Sequence, residues 1–100
     1  MRLSAQIGSY DMDFVILDLV LDVNVLMMKT WEKMGKPHLI WSPILLKLAN
    51  QQKVVPIGRF LSVPIDIYGV QSLTDFKVIE IVDKPNPYPA LLGIEWAIGN

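Results

Sequence analysis

Apolar and polar positions alternate through much of the 100-residue chain. Leu3, Ala5 and Ile7 are separated by polar neighbours, Gly8-Ser9 supplies a turn, and Phe14-Val15-Ile16-Leu17 runs apolar. That order predicts a β-hairpin. The period of two continues through Leu17, Leu19, Leu21, Val23 and Val25, with Asp18, Asp22 and Asn24 on the opposite face. On pattern alone this stretch is a strand.

Thr30-Trp31-Glu32-Lys33-Met34-Gly35 predicts a short helix that Gly35 ends, with Pro37 beyond it. Leu39-Ile40-Trp41 is expected to be extended, because the residue before Pro43 is pushed out of helical space. Residues 44–49 read as a strand, Asn50-Gln51-Gln52 as a polar turn, and residues 54–60 as the return. Pro56 and Gly58 confine that return strand to an edge or a bulge. Residues 62–68 and 73–82 alternate again on either side of Gly69. Pro85, Pro87 and Pro89 make a rigid connection, Leu91-Leu92-Gly93 a short strand, and residues 94–98 the start of a helix. Many short strands with turn signals between them predict an all-β barrel or sandwich with one or two short helices.

Length then sets the scale. A chain of 100 residues holds one domain, here 1–100, and its 52% hydrophobic content can fill a core without metal or disulfide. The apolar surplus points to a subunit interface. A net charge of -1 gives no global attraction for nucleic acid or an anionic membrane. The middle third does carry Lys29, Lys33, Lys36, Lys47, Lys53 and Arg59 against Glu32 alone. Without an RNA- or DNA-binding motif, that run reads as a solvated face before a nucleic-acid contact. The absence of cysteine excludes disulfides, thiolate metal sites and thiol nucleophiles, and fits an intracellular, cytoplasmic setting. The apolar run 14–28 contains Asp18, Asp22 and Asn24 and is too short to span a bilayer. The end at Ile98-Gly99-Asn100 is abrupt, as expected of a piece of a longer polyprotein truncated at its C-terminus.

Candidate chemistry narrows quickly. The single histidine, His38, leaves no His-based triad and no multi-histidine metal site, and phosphate-binding glycine loops are lacking. What remains is a carboxylate within an apolar strand, Val15-Ile16-Leu17-Asp18. A buried ionised Asp is costly, so such a residue is paired, protonated or at an edge.

From Val15 to Leu26 the chain resembles the catalytic strand and loop of retropepsin-like aspartic proteases, in which apolar residues lead into Asp-Thr/Ser-Gly-Ala/Ser and a second apolar strand. Leu91-Leu92-Gly93, followed by Ile94-Glu95-Trp96, is similar to the family's late apolar-apolar-Gly landmark before a helix. Residues 46–58 match its flap hairpin, with Asn50, Gln51 and Gln52 at the tip. The wording of the whole chain is similar to the protease segment of plant retrotransposon gag-pol polyproteins. The resemblance implies a small closed β-barrel of the single-lobe acid protease type. It also implies Asp18 as the catalytic carboxylate, no cofactor and no metal, and an extended peptide or polyprotein as substrate. Because each chain carries one such Asp, it further implies a homodimer with the two Asp18 side chains at the two-fold axis.

The catalytic loop departs from the family pattern. Leu19 replaces the Thr/Ser hydroxyl, Val20 the Gly that lets backbone approach closely, and Leu21 a small residue. Asp22 keeps the family's second acidic position, whereas Ile94 stands where viral relatives place an Arg. The expectation is therefore an ancestral aspartic endopeptidase with impaired catalysis. The alternatives are a catalytically inactive dimerisation or peptide-binding module of the same fold, and, last, a nucleic-acid-binding domain.

Overall fold

The computed structural model describes residues 2–41, 54–81, 88–94 and 96. Its elements are β1 (Arg2–Ile7), β2 (Tyr10–Leu17), β3 (Val25–Met27), α1 (Met28–Lys33), β4 (Val54–Ile67), β5 (Val70–Ile81) and β6 (Ala90–Leu92). The strands close into a barrel in the order β1-β2-β6-β3-β5-β4. The all-β barrel with a short helix is the architecture the alternating pattern predicts.

Two hairpins supply most of the wall. β1 pairs antiparallel with β2 from Ile7↔Tyr10 to Arg2↔Ile16, turning at Gly8, whose φ of 61° suits glycine. β4 and β5 pair from Ile67↔Val70 to Val54↔Ile81. Their two-residue turn has positive φ at both Tyr68 (53°) and Gly69 (82°), the twist that a tight hairpin requires. The Asp66 carboxylate accepts the Gly69 N–H at 2.9 Å and holds the turn.

Residues 54–67 are one long strand, where the sequence pattern suggested two. The gap between the two alternating runs is a bulge: the register shifts between Phe60 and Val63, and Ser62 adopts a φ of 54°. The Asp75 carboxylate accepts the Ser62 N–H at 2.8 Å, satisfying a donor the bulge takes out of the ladder. A second register shift, between Pro56 and Gly58, is the bulge expected from those residue types.

The helix starts two residues earlier than predicted and stops where Gly35 said it would. Gly35 has a φ of 86°, and the Gly35 and Lys36 N–H groups bond back to Glu32 and Trp31 carbonyls. This is the Schellman closure that glycine favours. Thr30 anchors α1 to the chain entering β6, donating Oγ1–H to the Pro89 carbonyl at 2.8 Å.

Side-chain alternation sorts the interior into two clusters. Leu3, Ala5, Ile7, Val15, Leu26, Val63, Ile65, Phe76, Val78, Ala90 and Leu92 fill the barrel. Leu21, Val25, Met27, Ile79 and Leu91 form a second cluster on the other side of β3, β5 and β6. Strands buried on both faces read as continuous apolar runs, which is why Val25-Leu26-Met27 lacks polar alternation.

Candidate functional site

The strand order creates a crossing. β6 lies between β2 and β3, pairing parallel with β2 (Ile16↔Leu91, Leu17↔Leu92) and antiparallel with β3 (Val25↔Leu91). Since β2 and β3 are consecutive in sequence, the connection between them, residues 18–24, passes over the end of β6. Those residues are therefore a loop, not the strand that alternation alone suggests. Leu21 and Val23 keep the period because they pack on the second cluster.

Asp18 stands at the first position after β2, half-buried, and its backbone N–H donates to the Leu92 carbonyl at 2.8 Å. Its carboxylate accepts the Val20 N–H at 3.0 Å, and its carbonyl accepts the Leu21 N–H at 3.2 Å. The loop is thus folded tightly around Asp18. The Ile94 N–H donates to the Leu21 carbonyl at 2.9 Å, pinning the loop to the chain just past β6.

Gly93 is fixed by the same crossing. A Cβ there would lie 2.5 Å from the Val23 carbonyl oxygen and 2.8 Å from that of Leu21, distances that real side chains do not tolerate. The late Leu91-Leu92-Gly93 motif and the Asp18 motif, more than 70 positions apart in sequence, are one structural unit. Leu92 points into the barrel core and Leu91 into the second cluster.

Asn24 was not singled out by sequence reasoning, yet it closes the unit. It is only 4% exposed. Its Oδ1 accepts the Gly93 N–H at 2.8 Å and its Nδ2 donates to the Asp75 carbonyl at 3.3 Å. Its own carbonyl accepts the Lys77 N–H at 2.9 Å. One side chain ties the loop to β6 and β5. The available signal was a polar residue directly before a fully buried apolar run, where an unsatisfied amide would be expensive.

The residues that follow Asp18 in the loop face different ways. Leu21 is buried in the second cluster, where its side chain serves core packing. Leu19 and Val20 point outward, 56% and 86% exposed, and Ile94 beside them is also exposed. Val20 has no positive φ, so this backbone makes no demand that only glycine meets. Its bulk is presented to whatever approaches the loop. Asp22 is exposed. The predicted flap tip, Asn50, Gln51 and Gln52, lies outside the described residues, although Gly58 on the return strand packs tightly under Leu39 and Ile40. A cleft of about 590 Å³ between β2, α1 and Tyr88 includes no residue of the 18–24 loop.

The chain matches no protein-family model and no curated protein. Among solved structures it is similar to the retroviral protease-like domain of Ddi1 from Leishmania major, with a TM-score of 0.74 and 15% sequence identity. The match covers 99% of this chain and 75% of that one. At such low identity the likeness is one of backbone architecture, and in that respect the chain has the retropepsin-like, single-lobe barrel fold.

Proposed function

We propose that this chain is a retroelement-derived aspartic protease-like domain in which Asp18 is half of an acid–base pair completed by a second copy. The observation that carries this reading is the crossing: Asp18 opens a loop locked over Leu92-Gly93 by backbone bonds and by Asn24. Peptide hydrolysis of this type needs one carboxylate to activate water as base and another to protonate the scissile carbonyl as acid. Two carboxylates at that distance share one proton, because like charges so close cannot both ionise; aspartic proteases are a standard instance of this coupling. A single chain with one such Asp reaches that state by pairing across a two-fold axis. The exposed Leu19, Val20 and Ile94 around Asp18 supply apolar surface for that contact.

In this reading hydrolysis is impaired by Val20. Its side chain projects from the loop where the partner and an extended substrate would meet, and a 1 Å displacement of reacting groups costs about 100-fold in rate. The present role is then dimerisation or binding of extended peptides, with proteolysis as the ancestral activity. Cleavage of a peptide library at mildly acid pH provides the test. The expected order is weak or no turnover by the natural sequence, a gain in Val20→Gly, and loss of that gain in Val20→Gly/Asp18→Asn. Cleavage that survives Asp18→Asn would falsify the assignment of Asp18.

A further inference from the structure

One pair of basic residues is not explained by the crossing or by a solvated surface. Arg59 on β4 and Lys77 on β5 are register partners, within a regular stretch bounded by Gly58↔Val78 and Phe60↔Phe76. Directly opposed residues lie on the same face with Cβ atoms about 5 Å apart, and like charges in that position destabilise a sheet. Phe76 and Val78 face the barrel core, so Arg59 and Lys77 share the other face. Both are partly buried. The Arg59 Nε is enclosed and has no hydrogen-bond acceptor among the described residues.

Among the described residues neither cation of this pair makes an ion pair. On the same face of β5 the nearest acidic position is Asp75, whose carboxylate accepts the Ser62 N–H. Residues 42–53, which precede β4, contain no Asp or Glu. The neighbours across the sheet are apolar: Ile40, bridged to Arg59 on one side, and Val25, paired with Lys77 on the other. Two cations paired in register with one donor unsatisfied, beside apolar neighbours, form an arrangement that a bound anion would stabilise.

We infer that the Arg59–Lys77 pair on the outer face of β4 and β5 is a binding site for an oxyanion, a carboxylate or phosphate group. The planar guanidinium takes two oxygens side by side, and the Lys77 ammonium supplies a second positive charge. This site is independent of the Asp18 reading, since neither residue belongs to the 18–24 loop.

The test follows the Arg59 Nε–Hε resonance by NMR, assigned through its loss in Arg59→Lys. Sodium phosphate is titrated into the full chain against sodium chloride at matched ionic strength, with sodium acetate as a third arm. The inference expects a saturable shift with phosphate and none with chloride, and at least tenfold weaker binding in Lys77→Met. Saturation by acetate as well assigns the site to carboxylates generally, whereas phosphate alone narrows it to phosphate groups. An unmoved resonance, equal movement in chloride, or undiminished binding in Lys77→Met overturns it. A thermal melt gives a second readout: phosphate should raise the midpoint of the natural chain but not that of Arg59→Met.

Discussion

The β4–β5 hairpin and the 18–24 crossing solve opposite problems. The hairpin joins neighbours in sequence: a two-residue turn at Tyr68-Gly69 brings together strands that then pair along their whole length. The crossing joins Asp18, Leu21 and Asn24 to residues 92–94, across most of the chain. Local closure costs little chain entropy and tolerates imperfection, whereas a distant junction depends on every contact fitting at once. Bulges at 56–58 and 60–63 are absorbed by the hairpin. At the crossing, a single added carbon on Gly93 has nowhere to go.

Substitutions at the two junctions should differ in cost accordingly. The largest effect is expected for Gly93→Ala, where the new Cβ meets two carbonyl oxygens; forced overpacking of this kind costs about 3 kcal/mol, read from urea unfolding. Its counterpart in the hairpin is Gly69→Ala. That position has open space around the Cβ, so only the left-handed backbone (φ 82°) resists, at about 1 kcal/mol. Equal losses at the two glycines would erase the distinction. Asn24→Ala comes next, at about 2 kcal/mol, because it strands the Gly93 N–H in the interior. Asn24→Asp should recover part of this by keeping the acceptor while losing the amide donor to Asp75. The smallest effect belongs to Asp75→Ala, under about 1 kcal/mol, because the Ser62 N–H it serves is exposed and can turn to water.

The same contrast explains what the sequence made legible. Both hairpins could be read from alternation and turn residues, and the helix end from Gly35, because each depends on neighbours a few positions apart. The insertion of β6 between β2 and β3 has no such signature. Alternation through Leu17, Leu19, Leu21, Val23 and Val25 even suggested a continuous strand, since Leu21 and Val23 are buried by a second cluster rather than by a sheet face. Only the likeness of the Asp18 and Leu91-Leu92-Gly93 segments to one family pointed to their meeting. Asn24 escaped notice because its partners lie on β5 and beyond β6. Arg59 read as part of a solvated basic run, because its pairing with Lys77 exists only in the register of β4 against β5.

Disulfide trapping tests the pairing of two Asp18 loops most directly, since the chain contains no cysteine of its own. Leu19→Cys places a thiol on the exposed shoulder of the Asp18 loop, and Tyr68→Cys places one at the exposed hairpin turn. Under mild oxidation of dilute protein, paired Asp18 loops should give rapid formation of a covalent dimer by Leu19→Cys and little by Tyr68→Cys. Equal trapping at both positions, or none at Leu19→Cys, would contradict it.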